Sequence, residues 1–387
     1  MTSETNFHKL KSSLSNISSF KFIHASDIHL GCQQYRNPHR ADDYIRAFQE
    51  ILTLAISKRV EFIILGGDVF TSLEVLPEQL TKIVNILRDF KSTTKGSIPI
   101  ITIEGNHDIR KYSKGTNVNH GQSWLKFLAS LGLVILLDGN IEDPPEQIFS
   151  NYDFTLKKGG KIQVKSAMIY GTRYLGQKPE EYLLKIRDAI KVDDGLFHIL
   201  LQHFGIQGQM ENVPGIDFQK VQILKDRVDY LALGHFHLQF ILEDWIYNPG
   251  SSEAACSADF SYKRGIFFVK VSNKNKFIKQ VYPIRLNNRK YIWKTIYFNA
   301  QFKDKEKMNN FIVQKLENLL KNLRTNLAPS DPKVPILFLL LKGIKPVKSC
   351  KIDEKCISRI ICEILPLVGV RIYQKFKNPL MSIDNFF

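Results

Sequence analysis

VEFIILGGDVF, residues 60–70, is an apolar run that reads as a buried strand and ends at a carboxylate, Asp68, beside two glycines. A carboxylate at the C-terminal end of a parallel strand stands where α/β folds place ligands. The rest of the sequence is therefore read for strands whose ends deliver partners to it. FKFIHASD precedes it as a first apolar segment ending in a carboxylate, Asp27. Between the two, residues 40–58 put Ile45, Phe48, Leu52, Ala55 and Ile56 on one helical stripe. A second helix starts near Pro77 with Leu80, Ile83, Val84, Leu87 and Phe90 facing inward, and SIPIITIEGNHD is a third strand with a polar exit. Strand and helix alternate as in a doubly wound α/β sheet.

After a loop-rich middle, roughly residues 138–165, come KSAMIYGTRY, LFHILLQHFG, VDYLALGHFH, DWIYNPGSSE and RGIFFVKVS, close enough together to predict a second sheet packed on the first. Near residue 285 the character changes to lysine-rich. A helix carrying Met308, Phe311, Ile312, Leu316 and Leu319, the strand VPILFLLLKG, a short helix near 353–364 and a last strand VRIYQKF predict a small α/β domain with its own core. The expected division is a leader at 1–20, polar and Ser-rich, a main domain at 21–285 and a basic domain at 286–387.

The chain has 387 residues and a net charge of +16, yet residues 262–387 hold 26 Lys and Arg against 8 Asp and Glu. All the basic excess thus lies in the last third, which points to a polyanionic partner, nucleic acid before membrane surface. Arg289, Lys290 and Lys294 are the candidate phosphate contacts there, while the aromatic residues of this region are read as core. No apolar run approaches the length of a membrane span. Five cysteines without a CxxC pair read as reduced thiols.

The strand exits carry Asp27 and His29, Asp68, Asn106 and His107, His203, and His235 and His237. Oxygen and imidazole donors without thiolate suit manganese, iron or zinc, with magnesium less favoured. Seven donors are too many for one closed tetrahedral site and about right for two cations sharing a bridge, for which Asp68 is the candidate. Asp27 and His29, two apart on an extended segment, are expected to project to one side, and His235 and His237 likewise. The glycines at 66, 67, 105 and 234 let backbone approach the cleft. His24 and His198, inside apolar strands, read as core.

The order DxH, GD, GNHD, QH, GHxH resembles the calcineurin-like metallophosphoesterase superfamily over residues 20 to about 285, whose fold is a two-sheet αββα sandwich. FIHASDIHLG, GGDVF, IPIITIEGNHD, GHFH and YNPGSSE are similar to its Mre-eleven/SbcD double-strand-break repair nucleases, which add a small C-terminal capping domain. The resemblance implies Asp27, His29 and His237 on one metal ion, Asn106, His203 and His235 on the other, Asp68 bridging, and His107 as the acid at the leaving oxygen. It implies two manganese ions, magnesium, iron(II) and zinc remaining open, and hydroxide attack on a DNA phosphodiester by 3′-to-5′ exonuclease or endonuclease action. It also implies a homodimer acting on duplex ends and single-strand/duplex junctions with an SMC-like coiled-coil ATPase, in the cytoplasm of a prokaryote or a nucleus. Thr71 stands where the family commonly has a DNA-end-holding histidine, which favours the endonuclease mode. The sequence ends at SIDNFF, short of the family's ATPase-docking segment. A small-molecule phosphodiesterase or phosphatase of the same fold is the alternative.

Overall fold

The computed structural model of the chain describes residues 19–109, 123–193, 195–273, 276–321 and 328–377. The expected leader falls outside them except for Ser19 and Phe20, which open the first strand instead. Two compact units result. One comprises residues up to 34 and 44–286, and the second comprises 35–43 with 287 onward.

In the first unit β1 (Ser19–Ala25), β2 (Phe62–Leu65), β3 (Ile100–Thr102) and β4 (Ile135–Leu136) run parallel, with α2 (Pro77–Thr93) and α1 (Pro38–Lys58) from Tyr44 onward as connections. The second sheet has the order β5 (Lys161–Val164), β6 (Ala167–Gly171), β7 (Phe197–His203), β8 (Tyr230–Gly234), β10 (Ile246–Asn248) and β9 (Phe240–Leu242). Two further strands, β11 (Ile266–Asn273) and β12 (Phe277–Ile284), return antiparallel to the far edge of the first sheet, beside β1. The sequence reading found β11 but not β12, whose FIKQVYPI alternates half-buried and exposed residues and carries a proline.

Strands buried on both faces explain the continuous apolar runs. Phe22, Phe62, Ile64 and Ile101 of the first sheet meet Ile199, Leu201, Tyr230 and Tyr247 of the second in one core between the sheets. The alternate residues of the first sheet, such as Ile23, Ile63 and Leu65, pack instead under α1 and α2 with Phe48, Ile51, Ile83 and Leu87. The second sheet turns Leu200, Leu231 and Leu233 outward onto α3 (Leu183–Ala189) and neighbouring turns. Helix, sheet, sheet, helix is the αββα sandwich. His24 lies within it, fully buried, with Nε2 donating to the Leu233 carbonyl at 3.1 Å and Nδ1 accepting from the Tyr230 hydroxyl at 3.0 Å. Satisfied at both nitrogens and desolvated, its ring is held neutral, with the pKa lowered to about 3.

The second unit is a parallel sheet in chain order, β13 (Tyr291–Phe298), β14 (Ile336–Ile344) and β15 (Gly369–Lys377), crossed by α4 (Lys305–Leu319) and α5 (Glu354–Ile364). Asp304 and Asp353 cap these helices, accepting from the backbone N–H of Lys307 and Cys356. Met308, Ile312, Leu316, Ile357 and Ile361 cover Leu337, Leu339, Leu341 and Ile372, so both helices pack on one face of the sheet.

Candidate dinuclear metal centre

All five predicted exits meet at one rim of the sandwich, within the first unit. The candidate donor atoms of Asp27, His29 and His237 lie within 4.8 Å of one another, as do those of Asp68, His203 and His235. The two groups interlock through backbone, since the His235 N–H donates to both oxygens of the Asp27 carboxylate at 3.2 and 3.1 Å and the His29 N–H donates to the Asp68 carbonyl at 3.0 Å. Asn106 joins the second group, its Oδ1 lying 3.1 Å from both His203 Nε2 and His235 Nδ1.

The local reason for convergence differs from the expected one. Asp27, His29, Asp68 and His235 have φ of +51°, +52°, +51° and +89°, so neither DxH nor GHxH is an extended segment. Left-handed backbone turns the chain sharply as it leaves each strand, a conformation in which Asp and His are enriched but still uncommon. The glycines answer a steric demand. A Cβ on Gly105 would lie 2.2 Å from Asp68 Oδ1, and one on Gly234 would lie 2.3 Å from the Gly66 carbonyl oxygen and 2.1 Å from Ser26 Oγ.

Each imidazole is aimed by its second nitrogen. His203 Nδ1 donates to the Gly66 carbonyl at 2.7 Å, which leaves Nε2 to face Asp68 Oδ2 at 3.2 Å. His237 Nδ1 bonds Asp259 Oδ2 at 2.8 Å, and its Nε2 then stands 3.1 Å from His29 Nε2. Asp259 had no signal in the sequence. It is fully buried in a short turn, 22 residues from the histidine it holds, and its carboxylate also accepts from the Ala255 and Cys256 N–H groups and the Cys256 thiol. A carboxylate behind a histidine is the arrangement that orients metal-binding imidazoles. We therefore expect Asp259→Asn to weaken divalent-cation affinity by about 10–100-fold with the fold intact, measured by calorimetric titration of the metal-stripped chain. Unchanged affinity would deny Asp259 that role.

His107 is exposed and belongs to neither donor group. Its Nδ1 donates to the Thr71 carbonyl at 2.9 Å, its backbone N–H to Asp68 Oδ1 at 2.8 Å, and its ring lies edge-on to His29. Asp108 braces this corner from below, accepting from the N–H groups of Val69, Phe70 and Gly105.

The charge balance shows what the cleft is built to hold. Burial raises the Asp27 carboxyl despite His203 and His237 nearby, and burial with the adjacent Asp68 pushes Asp108 up to about 8. Asp68 is itself held well below the usual range, because His203, His29 and His107 outweigh its burial. Burial lowers His29 to about 3 and His235 to about 4, whereas Asp68 and Asp27 lift His203 to about 9 against its burial. The buried carboxylates are thus balanced by protons held on His203 and favoured on His237, a role that divalent cations fill more strongly. Two carboxylates, four imidazoles and an amide oxygen, without thiolate, fit two hard-to-borderline divalent ions.

The sign of the pH dependence follows. Below pH 9 the free chain carries a proton on His203 that a cation must displace. Affinity should rise about tenfold or more per pH unit between pH 6 and 8, because His237, raised against its burial by its bond to Asp259, adds to the protons released on binding. Calorimetry in buffers of different ionisation enthalpy reads that release, and a pH-independent affinity without it would contradict the assignment.

Of the predicted basic contacts, Lys290 is exposed and Lys294 half-buried. Arg289 is a correction. It is 2% exposed, its guanidinium donates to both oxygens of Asp43 and to the carbonyls of Asp331 and Val334, and so it is a structural link inside the second unit instead of a phosphate contact. Spacing could not show this, because the buried carboxylate that claims it is 246 residues away.

A two-sheet αββα sandwich with two facing Asp/His clusters at its parallel strand exits defines a metal-dependent phosphoesterase. Residues 20–239 match the calcineurin-like phosphoesterase family, and the chain belongs to it. Among the curated proteins it is similar to are DNA double-strand break repair proteins called Mre11. The protein from Archaeoglobus fulgidus is 36% identical over 243 residues, covering 60% of this chain and 50% of its own. Those from Saccharolobus solfataricus and Sulfurisphaera tokodaii are 25% identical over 371 residues (94% and 84%) and 28% identical over 232 residues (59% and 51%). The chain thus spans about half the length of the Archaeoglobus and Sulfurisphaera proteins. Among the described residues no helix is long and apolar enough to cross a membrane.

Proposed function

We propose that the chain is a DNA nuclease of double-strand break repair, hydrolysing phosphodiesters with two bound manganese ions. The pair of three-residue donor groups sharing one cleft carries this reading. Asp27, His29 and His237 would hold one ion, Asn106, His203 and His235 the other, with Asp68 between them. When bound, two such ions neutralise charge on the phosphate and supply the nucleophile near neutral pH.

The chain's own groups do the rest. The Thr71 carbonyl takes the Nδ1–H of His107, so in the imidazolium form it is the Nε2–H that can pass to the departing oxygen, leaving the neutral ring. The bond from the His107 N–H to Asp68 ties that acid to the metal-binding carboxylate, so proton donor and cleft keep a fixed spacing. The Asp27 and Asp68 carboxylates, with backbone locked by left-handed turns, lose little freedom when a phosphate arrives.

The basic excess of the last third supports DNA over a small phosphoester as substrate, since a nucleotide needs a few charges and a duplex a field of them. Lys290 and Lys294 remain candidate phosphate contacts. A homodimer and a coiled-coil ATPase partner are the assembly proposed. The deciding experiment is cleavage of end-labelled duplex DNA by metal-stripped chain, resupplied with manganese, magnesium or zinc, on free and on blocked 3′ ends. Manganese-dependent cleavage, with blocked ends still nicked, is expected. Turnover of cyclic nucleotides or monoesters with no cleavage of DNA would return the small-molecule alternative.

A further inference from the structure

The second unit has a sheet face that α4 and α5 do not use, covered at one end by its own residues 35–43, where Tyr35 packs edge-on against Phe338 and Arg40 lies over Tyr291. The helices cover Ile292, Ile296 and Phe298 of β13, the odd-numbered leucines of β14 and Ile372 of β15. The opposite parity turns Trp293, Thr295 and Tyr297, then Phe338, Leu340 and Lys342, then Arg371, Tyr373 and Lys375 to the other side. The register aligns these as rows, Trp293–Phe338–Arg371, Thr295–Leu340–Tyr373 and Tyr297–Lys342–Lys375.

The expectation that the aromatic residues here are core fails on this face. Phe338 is fully buried, but Trp293 is 41% and Tyr297 58% exposed. Trp293 and Tyr373 stack nearly parallel, with centroids 5.7 Å apart, and Trp293 also packs on Phe338 at 5.4 Å. The Lys342 ammonium lies 6.0 Å from the centre of the Tyr297 ring, and Arg371 and Lys375 are exposed at the ends of their rows, Arg371 with its guanidinium over the Tyr35 ring at 5.4 Å. None of the three strands contains an Asp or Glu. Large, rigid aromatic surface with cations beside it is a costly way to face water, and it is the combination that binds single-stranded nucleic acid: rings for bases, cations for the backbone. Trp293 and Tyr297, four residues apart at about 3.3 Å each, give a platform roughly 13 Å long.

We propose that this face of the β13–β14–β15 sheet binds the unpaired strand of a nucleic acid, with bases stacked on Trp293, Tyr297 and Tyr373 and phosphates met by Lys342, Arg371 and Lys375. The proposal rests on nucleic acid being the substrate, as argued above. It adds that the strand is gripped by its bases and without sequence preference.

The test uses the full chain in chelator, so that catalysis plays no part, with a fluorescent 20-nucleotide oligothymidylate, a blunt duplex and an abasic strand of the same length. Tyr297→Ala and Trp293→Ala should each weaken oligothymidylate binding about tenfold, with duplex binding changed less than about threefold. Trp293→Phe should restore most of the loss, and the unaltered chain should bind the abasic strand about as weakly as a chain carrying both Trp293→Ala and Tyr297→Ala binds oligothymidylate. Tyr297, mostly exposed, can be truncated without endangering the fold, so its variant carries the test alone if Trp293→Ala does not fold. Oligothymidylate affinity unchanged in Tyr297→Ala would overturn the proposal. So would an equal loss on duplex and abasic strand, or a change in sedimentation alone, which would make the face a self-association surface. If the unaltered chain binds duplex but the variants behave like it, only this proposal falls; if it binds neither strand nor duplex, the nuclease reading falls too.

Discussion

Asp68→Asn is expected to lower hydrolysis of a phosphodiester by about 10³-fold, close to 4 kcal/mol of barrier, and to reduce the bound cations from two towards one. The size follows from the position. Asp68 is the carboxylate around which His203, His29 and His107 gather, and their combined field holds it ionised although it is buried. An amide there keeps the shape but removes the charge, and it turns an NH₂ group either toward His203 Nε2 or toward the His107 N–H, where an acceptor is needed. Turned toward His107 the NH₂ faces another N–H, at about 1–3 kcal/mol on top of the lost charge, whereas turned toward His203 it is accepted by Nε2 of the neutral ring, so the lost charge is the main effect. Cation stoichiometry of the metal-stripped and resupplied variant is the check. Two cations bound with full turnover would remove Asp68 from the centre.

His107→Gln separates catalysis from metal binding. Because His107 lies outside both donor groups and is exposed, the variant should keep two cations while turnover falls about 10²–10⁴-fold, the range of a lost general acid. The loss should depend on the leaving group. A DNA 3′-oxygen departs as a strongly basic alkoxide and needs the proton, whereas p-nitrophenolate does not. A large defect on DNA with a small one on a p-nitrophenyl phosphodiester is the expected pattern. Equal defects on both, or loss of a cation, would make His107 a ligand or a positioning residue instead of the acid.

The sandwich and the donor residues were legible for one reason. Strands buried on both faces read as apolar runs, so a polar residue marks where each run stops, and Asp27, Asp68, Asn106, His203 and His235 are such marks. What was not legible is whatever depends on backbone angle or on distant partners. The DxH and GHxH pairs look extended on paper, yet their residues meet because Asp27, His29 and His235 adopt left-handed backbone. Asp259 lies in an irregular turn with no periodicity to announce it, and only the fold sets it against His237. Arg289 is indistinguishable in sequence from its neighbour Lys290 until Asp43 is seen beside it. Trp293 and Tyr297 alternate with apolar residues as strand residues do, and the sequence holds nothing to say that helices cover one face of that sheet and not the other.

The most direct test of the account is where manganese sits. Crystals of the chain grown with manganese and measured at its absorption edge should show two anomalous peaks about 3.5–4 Å apart. One is expected among Asp27, His29 and His237, the other among Asn106, His203 and His235, with Asp68 reaching both. A single peak, no peak, or two peaks too distant for one carboxylate to span would contradict it.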